Sequence, residues 1–541
     1  MKRIIPCLLL FLLIGEAVQA ELRLKADLQG FRADAPYSYL RLTVENPNLQ
    51  GTEYEVVIKD TIHDGEIILN DLEIEAGGRR IHNIPVSLGF PSYVEVNDGF
   101  GDLSRSTVAV NHRFLLNIAD LENWASESDS RNFSKACTAS HTPMGPSSGV
   151  QDALLQMEPD VLPDNWLCYS PFLIILVHEP VYNRMAPAQR KALLKWVGAG
   201  GDLVIYGTDR PGRQSNLLGH VVYHAGDPFK FPYLDQRVDY RQKFQWEQYY
   251  QGGRITDFPY DIKGRIGKIG GFILATLFVI LAGPVNYLYF RKKKNVRMIL
   301  VSLPVISIAF CLVIIFYFFV TQGFSKKGGS FSVTRLDETE DEAMTFSIHS
   351  LYSGMYPFGG FSFDRETAFY PMSLSGDYQI VLSGKQNLKS GIFSPGSNFH
   401  YFTMNPHSTR ERLLYDPQKS TISNGFEEYI HGVVFKAGER IYQAKDIEPG
   451  GEAPLSEIQD PESFTEEFDN RFLNAEETNF FRKRMFSYAT TNLPTRGNEI
   501  VYLVKFRGNV DTEGIESGTR IGGDRNSNIL IGVKGSGEEN D

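Results

Sequence analysis

Residues 269–325 read IGGFILATLFVILAGPVNYLYFRKKKNVRMILVSLPVISIAFCLVIIFYFFVTQGFS. Positions 269–290 carry no charge over 22 residues and 298–325 carry none over 28, where a helix needs roughly 20 apolar residues to cross a bilayer. Between them, 291–297 hold five positive charges in seven residues. Such a turn is too short and too basic to be anything but a cytoplasmic connection under the positive-inside rule. The reading is a two-helix transmembrane hairpin over 267–324, with the large regions before and after it on the same side of the lipid bilayer. Tyr287, Tyr289 and Phe290 at the inner end, and residues 316–319 at the outer end, suit the two interfaces. Neither span holds an Asp, Glu, Lys, Arg or His, which argues against the ion or proton relay of a pump. Asn286, beside Gly283 and Pro284, is the strongly polar side chain there. It is read as a membrane-helix contact, with a membrane-protein partner as the further expectation.

The chain starts Met1, Lys2, Arg3, runs apolar over 4–14 and reaches Val18, Gln19, Ala20, the order of a charged n-region, a short h-region and a small-x-small cleavage site. Residues 1–20 are expected to be a signal peptide, because eleven apolar residues cover only about half of a ~30 Å hydrocarbon core. Residue 21 then lies outside, and both large regions are extracytoplasmic. The full length is 541 residues, 42% hydrophobic and 22% charged, which excludes collagen-like, coiled-coil and largely disordered classes and suits several domains. A net charge of -11 offers no basic footprint for phosphates, so nucleic acid is excluded as a partner. Four cysteines are too few for a disulfide framework.

From Leu22 to Arg105, short alternating runs such as Leu40, Leu42, Val44 and Tyr54, Val56, Ile58 are broken at Asn46-Pro47-Asn48, Asp64-Gly65, Gly77-Gly78 and Asp98-Gly99. Period two with turn residues between predicts a β-sandwich over 21–105. Over 106–226 the pattern changes to continuous apolar runs at 172–177 and 203–206, separated by Ala188, Ala192, Leu193, Trp196 and Val197 at helical spacing behind Pro187. That is a βαβ unit and hence an α/β domain with a parallel sheet. Residues 227–266 are read as a linker. After the hairpin, alternation resumes in a β-rich domain over 325–460, and 461–541 reads as helix, strand and flexible tail. The acidic run 337–342 is expected to tip a hairpin in solvent. The aromatic stretch from Tyr352 to Tyr370 is expected to pack in a core rather than stack on sugars.

Leu162-Pro163-Asp164-Asn165-Trp166, followed by the first apolar run and then by residues 192–205 (ALLKWVGAGGDLVI), resembles the α/β domain of bacterial envelope membrane proteins whose sheet is similar to class I glutamine amidotransferases. Residues 282–288 (AGPVNYL), the basic turn and Ser302-Leu303-Pro304 are similar to the transmembrane hairpin of the same proteins. The resemblance covers about a third of the chain. It implies a multidomain protein of the bacterial cytoplasmic (inner) membrane: signal peptide, β-sandwich, amidotransferase-like parallel sheet, membrane hairpin and a second β-rich domain.

Amidotransferases of that class need a nucleophilic Cys on a tight strand-to-helix turn, with a His beside it. After Val204-Ile205-Tyr206 this chain has Gly207-Thr208-Asp209, so no catalytic residue is assigned. Cys137 with His141 offers a weaker nucleophilic pair, and Gly145-Pro146-Ser147-Ser148-Gly149 matches G-x-S-x-G without the apolar strand that elbow requires. Cys137 and Cys168 form a candidate disulfide worth about 3 kcal/mol in an oxidising compartment. His220 and His224 sit in a strand-like run, which holds their rings ~13 Å apart and rules out a shared metal. His178-Glu179 follows a strand, at a position where α/β sheets bind ligands. Neither metal nor cofactor is expected. The functional expectation is a membrane-anchored extracytoplasmic binding or scaffold protein of the cell envelope, with an inactive amidotransferase-like domain and an envelope ligand. The alternatives are an envelope hydrolase or amidotransferase, and an accessory subunit of a membrane transport complex.

Overall fold

The computed structural model describes residues 22–30, 37–60, 65–87, 93–98, 103–108, 115–119, 154–226 (except 173 and 210), 268–322, 326–353, 360–371, 378–390, 398–459, 464–468 (except 466), 500–506 and 526–534. The strands ahead of the apolar helices are β1 (Arg23–Gly30), β2 (Tyr37–Glu45), β3 (Thr52–Asp60), β4 (Gly65–Ile74), β5 (Arg79–Ser87), β6 (Tyr93–Asp98), β7 (Leu103–Thr107), β8 (Leu115–Ile118), β9 (Leu154–Met157), β10 (Ile174–His178), β11 (Asp202–Tyr206), β12 (Gly212–Asn216) and β13 (Gly219–His224). Helices α1 (Glu179–Arg184) and α2 (Pro187–Gly198) join β10 to β11. The apolar helices are α3 (Lys268–Ile280), α4 (Asn286–Lys292) and α5 (Ile299–Gln322). After them come β14 (Lys326–Asp337), β15 (Glu342–Ser353), β16 (Phe361–Asp364), β17 (Ala368–Pro371), β18 (Gln379–Ser383), β19 (Lys385–Ser390), β20 (Asn398–Ser408), β21 (Leu413–Asp416), β22 (Thr421–Asn424), β23 (Ile430–Ala437), β24 (Arg440–Ile447), β25 (Glu452–Pro454), β26 (Ser456–Glu457), β27 (Ile500–Phe506) and β28 (Asn526–Lys534).

A three-stranded sheet A, in the order β1-β2-β5, faces a seven-stranded sheet B, in the order β16-β19-β18-β4-β3-β6-β7. Leu40, Leu42 and Val44 of β2 meet Tyr54, Val56 and Ile58 of β3 in one apolar cluster, the two inner faces of a sandwich. The other face of β2 is buried as well, because Tyr37 and Tyr39 enter a second cluster with Trp166, Tyr169 and Leu193 of the α/β layer. That double burial explains why β2 shows only two partly exposed positions, Arg41 and Glu45.

The sandwich is not confined to 21–105. Strand β18 pairs in parallel with β4, Gln379 to Val381 against Glu66 to Ile68, so residues from beyond the membrane helices complete sheet B. Alternation along β4 reports that one face is buried but says nothing about which strand lies alongside, since pairing is decided by register and packing. The predicted flexible tail is corrected in the same way. β28 lies between β14 and β27 in the nine-stranded sheet D, ordered β17-β20-β15-β14-β28-β27-β23-β24-β26. Ile529 and Ile531 are buried there; their short apolar run is flanked by Gly and Asn, which gave it the look of a loop. Phe468 is buried and Phe464 packs beside it. Residues 1–20, 227–266 and the tail beyond 534 lie outside the described residues.

Parallel sheet C, ordered β12-β13-β11-β10-β8-β9, contains the expected βαβ unit: β10 and β11 are parallel, joined through α2. Ile175, Val177, Leu203 and Ile205 pack against Ala192, Leu193, Trp196 and Val197 of α2, the helix stripe that the spacing anticipated. Three further strands, β21, β22 and β25, form a small sheet E.

The acidic run does turn a hairpin between β14 and β15, and Asp337 accepts the backbone N–H groups of Thr339 and Glu340. It is not wholly in solvent. Glu338 is buried and accepts the Tyr502 hydroxyl, because the Tyr502 ring of β27 reaches across Gly532 of the intervening strand β28. Of the aromatic stretch, Tyr352, Phe361, Phe363 and Phe369 are buried as expected, the three phenylalanines in ring contact with one another or with Phe399 and Tyr401; Tyr356 and Phe358 lie outside the described residues.

The two apolar helical runs, Gly270–Lys292 and Val296–Tyr317, have the length and composition of membrane spans and are almost wholly unburied. They touch through one seam. Phe278 and Phe310 rings lie 5.2 Å apart, and the Ser302 hydroxyl donates to Asn286 Oδ1 at 2.9 Å. A π-helical turn, Leu281–Val285, carries Gly283 and Pro284; proline lacks the N–H that a regular turn requires, and the wider turn accommodates it. Because sheet B contains strands from before and after these helices, both regions occupy one side of any membrane the helices cross.

Candidate functional site

Strand order in sheet C reverses between β8 and β10, since β9 lies beyond β8 while β11 and β13 follow β10 on the other side. In open α/β sheets ligands bind outside the carboxyl ends at such a switch point. Asn117, His178-Glu179, Tyr206-Gly207-Thr208 and His224 gather at this end. The Tyr206 hydroxyl donates to Asn117 Oδ1 at 3.2 Å, and its ring lies 5.2 Å from that of His178. Gly207 has φ +75°, and a Cβ there would come within 3.0 Å of the His178 imidazole, so glycine is required for both backbone and packing.

The chemistry at this edge is that of a closed polar layer. The Thr208 hydroxyl donates to Glu179 Oε1 at 3.2 Å. The N–H groups of Gly207 and Thr208, at the carboxyl end of β11, both donate to the His224 carbonyl, at 3.0 and 3.4 Å. Donors already committed to a backbone oxygen cannot stabilise a developing oxyanion. The His178 Nδ1 is enclosed without a hydrogen-bond partner.

His220 lies at the opposite end of β13, where its Nδ1 is 3.4 Å from Asp202 Oδ1 in a buried pair; His224 is on the carboxyl side. The strand separates them as expected, and among the described residues no cluster of three or more metal-binding side chains occurs. A serine–histidine contact exists elsewhere, Ser350 Oγ to His400 Nδ1 at 2.9 Å, but it joins cross-strand partners in the interior of sheet D. Cys137, His141 and Ser147 lie outside the described residues. Cys168 is buried in the 3₁₀ turn Trp166–Tyr169 with no disulfide partner among the described residues, and burial pushes the ionisation of its thiol well above the usual thiol range. It should resist a thiol reagent in the native protein. In a Cys311→Ala background, unfolding without reductant should expose it; reactivity that appears only after reduction would demonstrate a bond to Cys137.

A second concavity was not visible in the sequence. A groove of about 590 Å³ opens where sheets A and B, the α/β layer and the region after the membrane helices meet, within the ~300–1,000 Å³ usual for ligand sites. Its apolar walls include Leu69, Leu72, Leu162 and Leu382, and its polar rim includes Asp164, Arg365 and Lys385. The walls are held together by specific hydrogen bonds. Asn165 caps the Trp166 turn by accepting the Leu167 N–H at 3.0 Å and donates to the Arg365 carbonyl at 3.1 Å. Trp166 Nε1 donates to the Glu366 carbonyl at 2.6 Å, and Lys195 pairs with Glu366. Gln386 donates to the Thr367 carbonyl at 2.6 Å and accepts the Tyr37 hydroxyl at 3.1 Å. At one end the Tyr54 hydroxyl and His82 Nε2 lie 2.6 Å apart; burial, and then the charge of Arg80, hold the imidazole below its ordinary pKa. The Asp164-Asn165-Trp166 passage stood out in the sequence only for its family resemblance, and its partners are some 200 residues away.

No known family profile matches the chain, and no curated protein is similar to it. Among solved structures, the yeast delta-COP-I mu-homology domain aligns with 39% of this chain and 96% of its own, at 6% identity and a TM-score of 0.18. A Paenibacillus cycloisomaltooligosaccharide glucanotransferase aligns with 34% of this chain and 28% of its own, at 9% identity and a TM-score of 0.13. Similarity at this level defines no common fold.

Proposed function

We propose that the chain is a membrane-anchored extracytoplasmic binding or scaffold protein of the bacterial cell envelope, its amidotransferase-like α/β domain serving as a structural wall rather than a catalyst. The observation that carries this reading is the jointly built groove, whose walls come from regions on both sides of the membrane helices. A concave, mostly apolar surface with a few placed polar groups is what a binding site requires. At the sheet edge, by contrast, the donors and hydroxyl that hydrolysis would use are turned on the protein itself. Fold alone confers no activity.

The test is topology. A reporter phosphatase that is active only outside the cytoplasm, fused after Gly253 or after Gly329, should be active at both positions. An inactive fusion at either one would remove the extracytoplasmic assignment.

One observation favours the accessory-subunit reading as a second choice. Pro284 and Pro304 interrupt both apolar helical runs, and backbone groups freed in hydrocarbon favour association with another helix beside the Asn286 seam. If that reading holds, detergent-solubilised protein co-purifies with a multispanning partner and Asn286→Leu weakens the association. Recovery alone, with Asn286→Leu indistinguishable, leaves the hairpin as a tether.

A further inference from the structure

Among the described residues, strand β5 is hydrogen-bonded on one side only. It pairs with β2 from Arg79↔Glu45 to Ser87↔Tyr37, and sheet A ends there. Its other edge runs along the groove, which is lined by five consecutive residues of the strand: Ile81, His82, Asn83, Ile84 and Pro85. Side chains of a strand alternate between its two faces. A run of five neighbours along one cleft therefore means that the cleft is presented with the strand's edge, and with it the outward backbone N–H and C=O groups. Among the described residues, none of these five makes a backbone hydrogen bond beyond its pairing with β2. Pro85 fits an edge, where its missing N–H costs no ladder bond.

A bare strand edge is a template for another strand, and proteins usually blunt it. Here the edge is instead recessed. One wall is formed by Leu162, Asp164 and the start of α2, and another by Leu69, Leu72 and Leu382, which sets the edge between two walls. The rim is more basic than acidic. Arg80 acts on His82, and the lining holds two cations, Arg365 and Lys385, against one carboxylate, Asp164; Arg365 reaches Asp164 at 3.5 Å and Lys385 reaches Asp364 at 3.8 Å, exposed pairs that a carboxylate of a ligand can displace.

We infer that the groove binds an extended peptide of a partner protein by strand addition to the free edge of β5, with alternate apolar side chains in the leucine-lined walls and acidic residues against Arg365 and Lys385. Strand addition takes affinity from main-chain hydrogen bonds and specificity from pockets for alternate side chains, the two features this groove combines. The inference rests on the binding-protein reading but not on the compartment. Failure of the reporter fusions would remove the envelope assignment and leave peptide binding in vitro intact.

The test uses the full-length protein in detergent and a displayed library of random dodecapeptides. Peptides of alternating apolar residues with acidic neighbours should be enriched, and a synthetic copy of one should slow hydrogen exchange of the β5 amides at least tenfold. N-methylation of alternate peptide nitrogens should weaken binding more than tenfold. Ala188→Trp, at an exposed position of the wall, should weaken binding similarly while leaving the melting temperature unchanged, and Lys385→Glu should weaken acidic peptides selectively. The inference is overturned if no peptide is enriched, if bound peptide leaves β5 exchange unaltered, or if N-methylated peptide binds equally well. It is also overturned if β5 is protected without peptide in a concentration-dependent dimer, which would give the edge to a second copy.

Discussion

Gly65→Ala is expected to loosen the joint between the regions before and after the membrane helices, with a cost of about 2–3 kcal/mol. A Cβ at this position would fall 2.1 Å from ring carbons of Tyr378, and that ring has no freedom to retreat. It is buried, its hydroxyl donates to Asp60 Oδ2 at 3.1 Å, and its carbonyl accepts the Glu66 N–H at 2.9 Å, at the point where β18 joins β4. The measurement is thermal unfolding together with limited proteolysis of the purified protein, which should show a lower melting temperature and earlier cleavage. Tyr378→Leu opens space at the same point. In that background Gly65→Ala should cost at least ~1 kcal/mol less, the non-additivity of residues in direct contact. Additive costs would show that the two side chains do not meet.

The second large effect is acid destabilisation through His349. This ring is fully buried in sheet D, stacked on Tyr401 with centroids 4.5 Å apart, with Nε2 3.2 Å from Thr403 Oγ1 and Nδ1 without a partner. Burial lowers its pKa from 6.5 to about 3, because the charged ring would be stripped of water. The unfolded chain therefore takes up a proton between pH 6.5 and 3 that the folded chain refuses. Stability is fully retained above the unfolded pKa and falls as the pH drops through that window. At 1.36 kcal/mol per pKa unit the whole interval amounts to about 5 kcal/mol. His349→Phe keeps the stack and removes the titration. Urea unfolding at a series of pH values should show the slope in the parent and a loss of most of it in the variant; equal slopes would place the acid sensitivity elsewhere.

Much of the local structure can be read residue by residue. Leu40, Leu42 and Val44 alternate because one face of β2 meets sheet B, and Ala192, Leu193, Trp196 and Val197 recur at helical spacing because α2 buries one stripe on sheet C. The apolar spans announce themselves by length. The groove was not legible. Its walls come from residues 69–85, 162–165, 186–189 and 365–386, and nothing in the Leu69 or Leu382 neighbourhoods distinguishes a groove wall from an ordinary strand.

The sequence by itself determined the element types, the βαβ unit and the two membrane-length helices, because periodicity and apolar length are properties of a single segment. Tertiary structure alone decided that β18 completes the sheet begun by β3 and β4, that the chain's last described strand sits inside sheet D, and that Glu338 is buried against Tyr502. The reason is physical. A strand's pattern states how much of it must be buried, whereas its neighbour is chosen by register, twist and packing among all strands at once, over separations of hundreds of residues.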